Sequence, residues 1–209
     1  MQRKKTTIFL LSFFILLAAV FMTYFYNVTR KPKTLPVLSP EGHKVTAFSF
    51  INQDGQTITE KDVKGKIFVV EYFFTTCKGI CPKMNENMTK VYAAFKGNDD
   101  VKILSHTVDP KKDTVGAMKA YSMRFDADPK QWMFLTGGKQ ELYNMARYSY
   151  LINAVDDTSK INIESDFIHS EKFILVDRYM QIRGIYDGTD IGSVNQLIGD
   201  VKELLKEEQ

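Results

Sequence analysis

The run IFVVEYFFTTCKGICP, residues 67–82, decides how this chain is read. Its first eight residues are apolar except for Glu71 and rich in β-branched and aromatic side chains, the composition of a buried strand. Pro82 disfavours helical backbone at Cys81 and is itself at home in a first helical turn, so a helix is expected to start there. Cys77 and Cys81, the only cysteines of the chain, therefore lie on a strand-to-helix loop with three residues between them. Two thiols so placed can exchange electrons as a dithiol or hold a soft metal ion as a thiolate pair. A purely structural disulfide is the weaker reading, because closing so short a loop constrains the unfolded chain little.

Working outward, Phe48–Ile51 and Gln56–Thr59 flank Asp54-Gly55 and predict a β-hairpin. Strands are expected at 66–74, 101–108, 131–135, 172–176 and 181–186. Helices are expected at 82–96, 113–125, 139–149 and 191–206, the second with Asp113 as its N-cap. Residues 151–168 are polar and irregular. Buried strands alternating with helices imply parallel pairing, and the final β-β-α adds antiparallel strands. A mixed sheet covered by helices on both faces, with the cysteines after its first core strand, is the layout of an α/β thioredoxin-like fold with an N-terminal β-hairpin. That domain is expected at 45–209.

Upstream, IFLLSFFILLAAVFMTYFY, residues 8–26, carries no charge. At about 1.5 Å per residue it makes a helix close to the roughly 30 Å hydrocarbon thickness. It is longer than a signal-peptide core and no small-residue cleavage motif follows, so residues 1–27 read as a cytoplasmic tip and a single transmembrane anchor. Arg3, Lys4 and Lys5 precede it, which puts the N-terminus in the cytoplasm and the C-terminal domain outside. No transit-peptide pattern is present, favouring a bacterial inner membrane with a periplasmic domain. Residues 28–44, with Pro32, Pro36 and Pro40, read as a tether in which His43 is solvated.

The formal charge of +3 belongs to the anchor. Five of the 28 Lys and Arg lie in residues 1–31 without an acidic neighbour, which leaves 23 against 25 acidic side chains, a balance of −2. The soluble part has no basic footprint for nucleic acid.

The cysteines are expected near the positive end of a helix, beside Lys78 and Lys83, where thiol pKa falls and thiolate is favoured. Gly79 is expected to let the turn close tightly. A thioredoxin-type oxidoreductase has two residues between its cysteines and a cis-proline before a later strand; here there are three, and no proline follows Pro129. A peroxidase-type site wants Thr or Ser three residues before the cysteine, where Phe74 stands. In the cis-proline neighbourhood the chain has His169. Two thiolates and an imidazole suit Cu(I) and Cu(II), whereas structural zinc wants four protein ligands. Asp109, at a strand end on the cysteine edge, is a candidate support behind the ligands. His106 lies within a strand and reads as packed core; Met84 and Met88 fall on the apolar helix stripe; Trp132 and Tyr186 read as core or rim.

FFTTCKGICPKM (73–84), HTVDPKKDTVGAMKAY (106–121), WMFLTGG (132–138) and DFIHSEKFILVD (166–177) resemble, in that order, the motifs of the Sco/SenC copper-protein family. The resemblance runs over residues from about 45 to 205 and extends to the anchor. It implies a thioredoxin fold, copper bound by Cys77, Cys81 and His169, and a role in building the dinuclear copper centre of cytochrome c oxidase. Asp166 matches the motif beside His169 and is implied as a supporting residue. The implied partners are the oxidase's copper-bearing subunit and other copper chaperones. Delivery of copper is the leading reading; reduction of the oxidase subunit's cysteines by a Cys77–Cys81 redox couple, and redox or copper sensing, are the alternatives.

Overall fold

The structure is a computed structural model that describes residues 2–29, 34–152 and 170–207. The chain divides into two compact units, Met1–Lys33 and Thr34–Gln209. The first is helix α1 (Gln2–Thr29), whose stretch Thr7–Phe25 is long and apolar enough to cross a membrane.

In the second unit, β1 (Ser49–Ile51) and β2 (Thr57–Thr59) form the expected antiparallel hairpin. The short helix α2 (Glu60–Val63) follows directly. Sequence reasoning missed it, although its capping box is legible: the Thr59 side chain bonds backbone of the first turn while Asp62 reaches back to the Thr59 N–H.

The main sheet has five strands in the order β5-β4-β3-β6-β7. Strands β3 (Ile67–Phe73), β4 (Val101–Thr107) and β5 (Trp132–Leu135) run parallel, while β6 (Lys172–Val176) and β7 (Ile182–Asp187) are antiparallel to their neighbours. Period-two alternation sorts β3 between two cores. Ile67, Val69 and Phe73 pack in one with Met84, Met88 and Val91 of α3 (Cys81–Phe95), Met118 and Tyr121 of α4 (Val115–Ser122), and Val194, Leu197 and Val201 of α6 (Ile191–Leu204). Phe68, Val70 and Tyr72 pack in the other with the hairpin, Val63 and Leu142 of α5 (Lys139–Asn144). This is the thioredoxin-like arrangement, and it places Met84, Met88, Trp132 and Tyr186 in the core.

Three expectations need correction. Helix α4 is capped by Thr114 rather than Asp113, whose side chain turns inward. The helix expected over 139–149 is α-helical only to Asn144 and continues as a π-turn, Met145–Ser149. The expected tether lies on the domain from Thr34 onward. Leu35 is buried, and Leu38 N–H donates to the Ile182 carbonyl at 2.8 Å. The Arg183 guanidinium donates to the carbonyls of Leu35 and Pro36 and to Asp177 and Glu207. An extended, proline-bearing segment lacks apolar period, yet its backbone can still pair with an open strand edge. His43 is likewise half-buried rather than solvated, its Nε2 2.9 Å from the Ser149 carbonyl oxygen.

Two buried titratable groups sit on opposite faces of the sheet. His106 stacks on Tyr72, with its Nε2 3.3 Å from the Tyr150 hydroxyl, and burial pulls its pKa down to about 3. Glu71 accepts from Ser105 Oγ at 2.6 Å, and burial pushes its carboxyl up to about 7 against the weaker opposing effect of that hydrogen bond. The unfolded chain takes up a proton at His106 below about pH 6.5, so His106 withdraws stability as pH falls through that value. Glu71 acts in reverse: its contribution is whole below about pH 4.5 and is lost as pH rises through its folded pKa. We predict that urea denaturation of wild type and Glu71→Gln gives stability profiles that diverge between about pH 4.5 and 7. Wild type should lose about 3 kcal/mol relative to the variant as pH rises. Parallel profiles would mean that Glu71 titrates alike in the folded and unfolded chain.

Candidate functional site

Strands β3 and β4 end side by side because they pair in parallel, Phe73 opposite Thr107. Their following loops therefore meet at one sheet edge, where sites form in such sheets. The β3–α3 loop carries Cys77, and Cys81 is the first residue of α3. Ile80 is the N-cap and makes no side-chain cap, so the first-turn N–H groups lack the usual hydroxyl or carboxylate acceptor. Pro82 stands at the second helical position.

The two sulfurs differ. Cys77 is half-buried, Cys81 is 4 % exposed, and both are free thiols. They open on one cavity of about 300 Å³ lined also by Tyr72, Phe74, Ile80 and Val108. The expected lowering of thiol pKa fails at Cys81. Burial first, then its hydrogen bond with Cys77, pushes that thiol up to about 12, with the charges of Cys77 and Glu71 adding to the rise and a backbone hydrogen bond from Phe74 opposing it. The helix N-terminus was legible in the sequence, whereas the depth of Cys81 in the apolar core beside Phe73 and Met84 was not. Gly79 is likewise not needed for the turn: it is absent from the positive-φ residues, and a Cβ there would meet nothing within 4 Å.

A residue that sequence reasoning took for a helix cap organises the loop. Asp113 is fully buried. It accepts from the Thr75 N–H at 3.2 Å, from Thr75 Oγ1 at 2.5 Å and from Thr107 Oγ1. Asp109, the expected supporting residue, directs its carboxylate to Lys112 at 3.1 Å, and the adjoining Val108 lines the cavity. Behind Cys81, Asn85 Nδ2 donates to the Cys81 carbonyl at 3.0 Å and to the Tyr121 hydroxyl at 3.1 Å.

His169 and Asp166 lie outside the described residues. Ser170, the residue after His169, lines the cysteine cavity. Among the described residues no group of three His, Cys, Asp or Glu is gathered that could hold a metal. The cysteine pair supplies two soft donors, and Cys77 is the more accessible of the two.

The SCO1/SenC family pattern matches residues 38–206. The SCO1 protein homolog of Bacillus subtilis strain 168 is 32 % identical over 168 residues, covering 79 % of this chain and 85 % of that protein. BsSco, described as a member of the Sco family of cytochrome c oxidase assembly proteins with a disulfide switch, superposes with a TM-score of 0.66 at 29 % identity, over 80 % of this chain and 96 % of its own. Copper-bound ScoI of Arabidopsis thaliana gives 0.59 at 30 % identity, over 77 % and 98 %. The chain belongs to the SCO1/SenC family.

The unequal sulfurs predict unequal reactivity. With the native protein near pH 8, iodoacetamide should modify Cys77 first, and Cys81 should react at least tenfold more slowly until the fold is opened with denaturant. Peptide mapping of a time course checks this; equal rates would contradict the burial of Cys81.

Proposed function

We propose that this SCO1/SenC chain is a membrane-anchored copper chaperone, held by α1 in a bacterial inner membrane with its domain on the periplasmic side. Copper is its cargo, taken by Cys77, Cys81 and His169 and passed toward the dinuclear copper centre of cytochrome c oxidase.

The observation that supports this reading is that Cys77, Cys81 and Ser170, the residue after His169 in sequence, line one cavity. The other histidines are engaged elsewhere: His43 on the Ser149 carbonyl, and His106 stacked on Tyr72 beside the Tyr150 hydroxyl. Two thiolates with one imidazole suit copper better than zinc, which would want a fourth protein ligand. Loading must displace the thiol protons, and the high pKa of Cys81 makes that exchange favour a strongly thiophilic ion. Cys77 is the sulfur a partner can reach, so transfer by ligand exchange starts there. Asp166 would orient the imidazole, and Asp109 would lend its charge from behind the loop. The oxidase link is supported by the description of BsSco, and the copper by its presence in the Arabidopsis relative. The anchor and its orientation rest on the apolar stretch Thr7–Phe25 and on Arg3, Lys4 and Lys5 before it.

The second reading is a thiol-disulfide oxidoreductase that reduces the oxidase subunit's cysteines. The free, hydrogen-bonded thiol pair favours it. His169 separates the two. In detergent-solubilised full chain, reduced and anaerobic, we expect about one copper per chain, lost in Cys77→Ala. We expect His169→Ala to release Cu(II) while still exchanging thiols. If no copper survives mild competition in the wild type and disulfides are still reduced, the chaperone reading falls and the oxidoreductase takes its place.

A further inference from the structure

We propose that Asp113 is a positioning residue for the cysteine pair, fixing where Cys77 stands relative to Cys81. The proposal rests on the reading of Cys77 and Cys81 as an exchanging pair.

The geometry assigns Asp113 a task outside its own segment. It follows β4 in sequence, yet Thr114 caps α4 and leaves the Asp113 side chain free of that duty. Its carboxylate is buried and meets the amide of Thr75 and the hydroxyls of Thr75 and Thr107. One oxygen takes the hydroxyl of Thr75 and the other that of Thr107, while the Thr75 N–H lies 3.2 Å from both. Thr107 is held in turn, its Oγ1 accepting from the Asp109 N–H at 2.9 Å. Asp113 thus joins the end of β4 to the loop two residues ahead of Cys77.

Cys81 needs no such help. It is fixed by α3, by the Asn85 hydrogen bond to its carbonyl and by the core around it. Cys77 touches Cys81 and the edge of the core, but its backbone is held by the short loop: its N–H donates to the Phe74 carbonyl at 3.2 Å, and the next anchor back along the chain is Thr75 on Asp113. The separation of the sulfurs is therefore set on one side by a helix and on the other by this carboxylate. Asparagine at 113 keeps the shape but presents one acceptor and one NH₂ donor. Facing donors from both Thr75 and Thr107, the amide must leave one of them unmet in a buried place, and the loop loosens.

The test uses full-length chain in detergent micelles, equilibrated in mixtures of reduced and oxidised glutathione. Two glutathione thiols reduce the Cys77–Cys81 disulfide: its S–S bond breaks, one glutathione S–S bond forms, and the two cysteines take up the protons. No copper takes part, so a chain that binds none leaves this test intact. Asp113→Asn should shift the equilibrium about tenfold toward the dithiol, which corresponds to about 30 mV, because a looser loop lowers the effective concentration of one thiol toward the other. Thr107→Val should shift it the same way, and the double variant should move less than the sum of the two. A role confined to the fold would lower the melting temperature and leave the equilibrium in place. If Asp113→Asn does not fold, Thr75→Val, which removes one hydroxyl donor and keeps the N–H, carries the same comparison. An equilibrium constant in the folded variants that is unchanged, or moved toward the disulfide, overturns the proposal.

Discussion

A carboxylate buried between two loops must be given donors there, because an unmet charge in the interior costs several kcal/mol. Asp113 is given the Thr75 amide and two threonine hydroxyls. Satisfying it forces the loop after β3 and the loop after β4 into one arrangement. The parallel pairing of β3 with β4 brings those loops within reach, and the carboxylate then holds the one that carries Cys77. Helix α3 begins four residues later with Cys81 already in the core. The site thus comes from a sheet edge, a helix start and one internal tie.

Two effects compete at the cysteines. A helix N-terminus with lysines beside it favours thiolate, by about 0.3–1 kcal/mol for an exposed charge and up to about 2 when partly buried. Burial disfavours it, and at Cys81 burial prevails. The result is a divided pair: one accessible sulfur and one that holds its proton until something stronger takes its place. Glu71 adds to this from β3, its carboxyl itself raised by burial and its Oε2 without a hydrogen-bond partner among the described residues. Under the proposed copper-carrying function, the reachable sulfur would begin an exchange while the buried one retains the ion.

Much of this was legible in the sequence. The apolar run 67–74 marked the central strand, and the later strands and helices stand within a few residues of their expected places. Periodicity reports burial, and burial made these elements. What periodicity cannot report is a polar side chain acting across the fold. Asp113 has the sequence signature of a helix cap, and only the paired strand ends reveal that it faces Thr75. Residues 34–38 have no apolar period because they dock by backbone and through Arg183. Pro82 marked the helix start at Cys81, but the burial of Cys81 in the core that includes Phe73 and Met84 is a property of the folded chain. His169, the most informative residue of the motif DFIHSEKF, lies outside the described residues; Ser170, which follows it in sequence, lines the cavity.

The most direct test of the central claim is X-ray absorption at the copper edge of the loaded full-length chain, beside His169→Ala. Two sulfur scatterers and one imidazole are expected at the metal, with the imidazole signal gone in the variant and both sulfurs kept. A spectrum without imidazole in the wild type, or one that His169→Ala leaves unchanged, would contradict it.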